Sequence, residues 1–446
     1  MSKKFRIIFL VIVSVFTITS VAVCQVDKDT LNDLYSEVEL FSYALTTIQS
    51  EYVDKKTPQE LIYGSLKGML SSLDPHSQFM DPEEYNELKT ETQGKFGGLG
   101  IEISIRDGLL TVITPLEDTP AWNAGLEAGD RIVKIDDKLT KDLTLNDAVK
   151  LLRGDPGTEV KVTVLRENDF KIKEYTIKRE IIQVQDVKNV QILEDHIGYI
   201  RLTEFREDSA KEFAKGLDEL KKDGADSLIV DLRNNPGGLL NVAIDITDMF
   251  LPVGETIVST KGRRPSQSTI TKSKRDPGVV GEWPVTVLIN HGSASGSEIL
   301  TGALKDNHRA VVIGTTSFGK GSVQSVIPLP DGSGLRLTTA KYFTPSGISI
   351  QGTGIKPDIF IKRVIPPEPK TEDSSDKHIE DVFEVFETEA DQAKTAPKMK
   401  GLTEQEKKAR QRILQDNQVQ SAIDVLKGIK TFKGFTQKTA TGNEKT

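Results

Sequence analysis

The chain has 446 residues, enough for two to four domains, with 28% charged residues and a formal net charge of −8. The charges are spread evenly, so no basic stripe is available for nucleic acid. The five histidines (His76, His196, His291, His308 and His378) lack metal-ligand spacing, and Cys24 is the only cysteine, which excludes disulfides within the chain.

At the N-terminus, Lys3, Lys4 and Arg6 precede an apolar run from Ile7 to Val23. This is the pattern of a signal peptide or a short membrane anchor over residues 1–24. Ser20-Val21-Ala22 suits cleavage, and Val21-Ala22-Val23-Cys24 faintly resembles a lipidation site with a large residue before the cysteine. The expectation is export across the cytoplasmic membrane, with or without a retained anchor. Residues 28–93 show helical apolar spacing: Leu31, Leu34, Val38, Phe41, Leu45 and Ile48, then Leu61, Leu66, Met69 and Leu70. Leu73-Asp74-Pro75-His76-Ser77 interrupts it, and Pro82 opens a further helix. Such a helical arm packs on a core domain or on a partner, and a second copy of the chain is one candidate.

Residues 94–168 change character. Phe96-Gly97-Gly98-Leu99-Gly100-Ile101 is a glycine-rich loop running into a strand, and Leu109-Leu110-Thr111-Val112-Ile113 is strand-like. A turn at Ala128-Gly129-Asp130 feeds another strand, a short helix ends at Arg153-Gly154, and residues 160–165 close the unit. This order closely resembles a PDZ domain. Successive N–H groups of Gly98, Leu99, Gly100 and Ile101 can form a nest for a substrate's terminal carboxylate, and the adjoining strand edge can accept a peptide strand. Arg153, at the end of the flanking helix, is either a solvated cation favoured by the helix dipole or a contact that couples a bound tail to the catalytic domain.

Residues 180–363 alternate strands and helices, which indicates an α/β core. Ile197-Gly198-Tyr199-Ile200-Arg201-Leu202 reads as a strand and 210–222 as an amphipathic helix. Residues 227–233 form an apolar strand that ends in Asn234-Asn235-Pro236-Gly237-Gly238, where N–H groups can converge on an oxyanion. After the apolar stretch 285–289 comes Asn290-His291-Gly292-Ser293-Ala294-Ser295-Gly296-Ser297-Glu298. Ser295 therefore lies at a strand-to-helix turn, close to free helix N-terminal N–H groups. A serine hydroxyl needs a base to become a nucleophile, and Lys320 supplies one if its surroundings favour the neutral form. Phe318, flanking glycines and the lack of a neighbouring acid in sequence point that way.

Gly314-Thr315-Thr316-Ser317-Phe318-Gly319-Lys320 also reads as most of a phosphate-binding loop. Gly321 replaces the required Ser or Thr, and residues 323–330 alternate like a strand where that loop needs a helix. A further rival is a catalytically silent protein that only binds tails through its PDZ domain; the presence of Ser295, Lys320 and Gln324 together argues against it. From residue 366 onward a Pro-rich linker leads into a charged tail with helical spacing over 379–386 and 404–426 and a Lys- and Thr-rich end, expected to be disordered and to carry no chemistry.

Over residues ~30–363 the chain resembles the C-terminal processing peptidases, or tail-specific proteases, PDZ-containing enzymes with a Ser-Lys dyad. Ser293-Ala294-Ser295-Gly296-Ser297-Glu298 matches the family's serine motif with Gly296 in place of alanine. Asp231-Leu232-Arg233-Asn234-Asn235-Pro236-Gly237-Gly238 matches its oxyanion segment. The resemblance implies a multidomain α/β protein with a crotonase-like core. It implies Ser295 as nucleophile, Lys320 as base, Gln324 as the residue orienting that base, and oxyanion donors from Gly296 and from Gly237 or Gly238. It further implies protein or peptide substrates with free C-termini, and neither cofactor nor metal.

Overall fold

The computed structural model describes residues 28–364, apart from 107, 117, 142 and 167–170, and residues 410–442. The expected signal or anchor segment, Cys24 and the linker after residue 364 lie outside the described residues. No helix among the described residues is long and apolar enough to cross a membrane. The chain divides into two compact units. One holds Pro82 and the described residues before it, with Val326–Leu337; the other holds Glu83–Ser325 and the described chain from Thr338 onward.

In the first unit, helix α1 (Lys28–Glu51) is followed by α2 (Pro58–Ser71). Thr57 caps α2: its hydroxyl accepts from the Glu60 N–H, while the Glu60 carboxylate accepts from the Thr57 N–H at 2.8 Å. Strand β1 (Gln78–Met80) pairs antiparallel with Gly334–Arg336. The buried Phe79 stacks tilted on Tyr63, whose hydroxyl donates to Asp331. The helices follow the apolar spacing; β1 was not anticipated, because three residues offer no period to read.

Helix α3 (Pro82–Gln93) opens at its proline as expected, and from Glu83 on it belongs to the second unit, where it leads to β2 (Lys95–Gly98). A sheet runs in the order β3 (Ile101–Arg106), β4 (Leu109–Pro115), β5 (Arg131–Ile135), β7 (Glu159–Arg166), β8 (Lys171–Lys178), with β6 (Lys138–Leu139) on β5. Helices α4 (Pro120–Ala124) and α5 (Leu145–Leu152) complete it. Val160, Val162 and Val164 alternate inward along β7 onto Val112, Ile132, Ile135 and Ala148, a half-buried strand pattern. β8 pairs with β7 along its whole length, and β9 (Glu180–Gln183) pairs with β2. The domain thus continues past residue 168 by an added hairpin strand.

The remaining chain builds a sheet in the order β10 (Val187–Ile192), β11 (Ile197–Leu202), β12 (Ser227–Asp231), β15 (Val285–Ile289), β16 (Val311–Gly314), β19 (Ile359–Phe360). All neighbours but β10 and β11 run parallel. A parallel sheet needs both faces covered. One face packs on α6 (Ser209–Lys222), α7 (Leu240–Thr247) and α8 (Gly296–Asp306) through Phe213, Leu217, Ile246, Leu300 and Leu304. The other is covered by α9 (Asn417–Gly442): Val419, Ala422, Ile423 and Leu426 are fully buried on Tyr199, Ile229, Leu288 and Ile313. The sequence's helical spacing over 404–426 meets a helix that begins at Asn417 and runs on to Gly442, and its first turns complete the core. β13 (Thr256–Gly262) pairs with β14 (Thr269–Lys272) and with Ala340–Phe343 of β18 (Gly334–Phe343), and β17 (Ser322–Pro328) also pairs with β18.

Candidate active site

Three loops at the C-terminal ends of the parallel strands are knit together. The first follows β12. Asn235 is fully buried; its carbonyl accepts from the Ala294 N–H and from the Ser297 hydroxyl, both at 3.0 Å, and its side-chain N–H donates to the Leu202 carbonyl. The Ser293 hydroxyl donates to the Leu232 carbonyl at 2.8 Å, and Asn234 and Asn290 exchange hydrogen bonds. The 232–238 loop and the serine turn are therefore tied to each other by hydrogen bonds.

Ser295 sits between β15 and α8, immediately before the first helical residue, and is 8% exposed. Its backbone has φ 50° and ψ −107°, a conformation that L-residues rarely adopt and that surrounding contacts must hold. Those contacts converge on Glu298, three residues on and fully buried. One carboxylate oxygen accepts from the Ser295 N–H at 2.9 Å and from the Lys320 N–H at 2.9 Å. The other accepts from the Ser317 hydroxyl at 2.6 Å and the Gly319 N–H at 2.7 Å. One acid thus ties the serine turn to the lysine loop. The fold brings Glu298 to the Lys320 backbone N–H across 22 residues of chain. Phe318 is 51% exposed and lies tilted against His291, with ring centroids 5.4 Å apart.

Gln324 lies on β17 with Ser322 on the same face, as a strand period of two requires. Its amide nitrogen donates to Thr338 at 2.7 Å and to Ser322 at 3.3 Å, while its amide oxygen is buried without a hydrogen-bond partner among the described residues. Such an acceptor is costly unless a donor reaches it.

Gly237 and Gly238 take positive φ, 100° and 145°. A Cβ on Gly237 would stand 2.7 Å from the Gly296 nitrogen, the Ser295 Cβ and the Ala294 oxygen, so only glycine fits against the serine turn. The Gly237 N–H donates to the Asn235 side chain at 2.8 Å. Among the described residues, the N–H groups of Gly238 and Gly296 have no hydrogen-bond partner in the structure. The root of the loop is a buried charge cluster. Arg233 forks onto Asp231 at 2.9 and 2.7 Å, and the Tyr199 hydroxyl donates to Asp231 at 2.7 Å. Burial alone would raise the Asp231 carboxyl, but the Arg233 guanidinium and the Tyr199 hydroxyl hold it below the usual carboxylate range.

Gly98, Leu99, Gly100 and Ile101 line one side of a cleft between β3 and α5, with Val149 and Leu152 opposite. The Leu99 carbonyl accepts from the Ala121 N–H, and a Cβ on Gly100 would meet Thr119 at 2.3 Å. Arg153 stands at the mouth of this cleft with its guanidinium 4.4 Å from the Phe96 ring centroid. The α5 carbonyls of Leu151 and Leu152 are satisfied instead by Arg179, a buried residue that the sequence did not single out. Arg153 also lines a second hollow with Glu91, Glu204 and Arg206 of the same unit. The phosphate-loop alternative fails on geometry: strand β17 follows Lys320, and a Cβ on Gly321 would lie 2.4 Å from the Gln351 nitrogen.

Comparison with known proteins agrees with this architecture. Residues 196–361 match the model of peptidase family S41, residues 111–166 a PDZ domain, and residues 13–84 the N-terminal domain of the activating protease CtpB. The carboxy-terminal-processing protease of Bartonella bacilliformis is 44% identical over 368 residues, which cover 81% of this chain and 83% of the relative. The carboxy-terminal processing protease CtpA of Bacillus subtilis is 36% identical over 325 residues, covering 73% and 69%. Among solved structures, a photosystem II D1 C-terminal processing protease is 30% identical, covering 73% of this chain and 93% of that one at a TM-score of 0.43. The chain belongs to the PDZ-containing carboxy-terminal processing serine proteases of peptidase family S41.

Proposed function

We propose that Ser295 is the nucleophile and Lys320 its general base in hydrolysis of peptide bonds near the free C-terminus of protein substrates. The observation that carries this is the shared anchor: the N–H groups of Ser295 and Lys320 donate to the same oxygen of Glu298. The neutral Lys320 amine takes the proton as the Ser295 Oγ attacks the scissile carbonyl carbon. The N–H groups of Gly296 and Gly238 receive the oxyanion, and each such donor is worth roughly 10²–10³ in rate. Lys320 then passes its proton to the departing amine. Water, deprotonated by Lys320, attacks the acyl-enzyme ester and releases the new carboxyl terminus and the serine. Gln324 orients the lysine, its unpartnered amide oxygen being a ready acceptor for an ammonium.

The cleft at Gly98, Leu99, Gly100 and Ile101 takes the substrate's last residues as an added strand. Arg153, between this cleft and the hollow toward Glu204 and Arg206, senses occupancy and brings the catalytic loops into register. The N-terminal cations and apolar run support export and membrane anchoring. The exposed Leu34, Val38, Phe41 and Ile48 of α1 support pairing of two copies. The parallel strands with helices on both faces support a crotonase-like core.

The test is cleavage of an unstructured peptide with a free apolar C-terminus. Ser295→Ala, Lys320→Ala and Lys320→Arg should each abolish turnover while keeping the fold, since guanidinium stays charged and cannot act as a base. Activity of the wild type should rise with pH as the lysine loses its proton. Proteolysis retained in Lys320→Arg removes the lysine from the mechanism.

A further inference from the structure

Arg233 stands at the base of the loop that carries Gly237 and Gly238, and it is 9% exposed. Its Nε and one terminal nitrogen are held by Asp231. Its other terminal nitrogen reaches away from the loop to residues 183 and 185 positions later in the chain. There it donates to both oxygens of Asp416, at 3.0 and 2.8 Å, and to the Gln418 amide oxygen at 2.8 Å. Asp416 and Gln418 are themselves buried, at 8% and 0% exposure. They are fixed in turn: Asp416 accepts from the Gln418 N–H at the start of α9, Gln418 donates to the Ile361 carbonyl at 2.7 Å, and Arg363 pairs with Asp416 at 3.2 Å. Farther along α9, Lys427 and Lys430 pair with Glu194, Asp195 and Asp226.

A buried guanidinium with five N–H donors is held in one place only when its acceptors surround it. Asp231 alone satisfies one edge of Arg233 and leaves its other terminal nitrogen to Asp416 and Gln418. With Asp416 and Gln418 in place both edges are gripped, and the chain from Leu232 to Gly238 starts from a fixed point. Asn235 then transmits that position to the serine turn through its bonds to Ala294 and Ser297.

We propose that Asp416 and Gln418 are positioning residues for peptide hydrolysis: the C-terminal segment grips Arg233 and thereby sets the 234–238 loop against Ser295. This rests on the assignment of Ser295 and the Gly238 donor made above. A shift of a donor by about 1 Å from its working position costs up to about a hundredfold in rate. The expected signature is in kcat, because the loop stabilises charge that develops only in the transition state.

The experiment uses the full chain and an unstructured fluorogenic peptide with a free apolar C-terminus, with kcat, KM and thermal unfolding measured for Asp416→Asn, Gln418→Ala and Val419→Ala. Val419 is fully buried in the same helix with its side chain in the apolar cluster on the sheet, and only its backbone N–H, which truncation to alanine keeps, reaches Asp416, so Val419→Ala weakens α9 without removing an Arg233 acceptor. Asp416→Asn and Gln418→Ala should lower kcat about ten- to a hundredfold with KM unchanged, while Val419→Ala lowers Tm and keeps kcat. A kcat within twofold of wild type for Asp416→Asn overturns the proposal, as does an equal kcat loss in Val419→Ala. Should Asp416→Asn fail to fold, Gln418→Ala decides by the same criteria. A parallel Ser295→Ala control separates the two levels. Residual cleavage there sinks the nucleophile assignment, whereas a silent Ser295→Ala with a fully active Asp416→Asn sinks only the positioning role.

Discussion

Glu298 is a fully buried acid made tolerable by four donors, and a buried carboxylate survives in a core only on such terms. Glu298→Gln keeps the shape but turns an amide NH2 toward N–H and O–H donors. It should lower kcat at least tenfold and destabilise the fold by about 1–3 kcal/mol, read from steady-state kinetics and chemical denaturation; a neutral result in both would make Glu298 a passive cap. Gln324→Ala should slow turnover only partially, by several-fold, because the role proposed for Gln324 is to orient a base that is still present. An unchanged rate would leave Gln324 an ordinary strand residue. Ser295, Lys320 and Gln324 each sit in a short local pattern, so the sequence alone could single them out as candidates. Glu298 was visible as a letter in the serine motif but not as a hub, since three of its partners lie 19, 21 and 22 residues away and meet it only through the fold.

At the scale of elements, α5 separates two arginines with different jobs. Arg179 satisfies the carbonyls that end the helix, leaving Arg153 to stack on Phe96 at the cleft mouth rather than serve the helix end. Arg153→Ala should therefore lower cleavage of a long substrate with a free tail. Binding of a short tail peptide to the Ser295→Ala full chain, followed by fluorescence anisotropy, should stay within about twofold. Both quantities at wild-type level would make Arg153 a surface stack without influence on catalysis. The strand after Lys320 was likewise an element-scale matter: alternation and prolines in 323–330 spoke against the phosphate loop, and β17 places a strand there.

For the whole molecule, the charge cluster under α9 makes stability depend on pH. The folded Asp231 carboxyl lies below its ordinary value, held there against burial by Arg233. Its contribution is present above the unfolded carboxyl's pKa, about 3.9, and is lost as pH falls through the lower folded value. Asp248 adds in the same direction, since the Ser273 hydroxyl and two backbone N–H groups outweigh its burial. Asp186 opposes them, because burial raises it and its protonation relieves the folded state. Thermal unfolding followed from about pH 7 down to about pH 2 should show a falling Tm below about pH 4, with a shallower acid limb in Asp231→Asn. An equally steep limb in that variant would assign the acid sensitivity to other carboxylates.

The amino-acid order by itself marked the serine turn, the lysine loop, the glycine-rich loop and the alternation of strands and helices, because each is written in contiguous residues by period or by turn chemistry. Tertiary structure alone decided three things. It chose Gly238 over Gly237 as an open donor, because the Asn235 side chain occupies the Gly237 N–H. It turned the C-terminal tail into the second cover of the core sheet, because a parallel sheet cannot leave a face bare. And it joined Arg233 to Asp416 and Gln418 across more than 180 residues of chain, because a buried guanidinium must find acceptors wherever the fold supplies them.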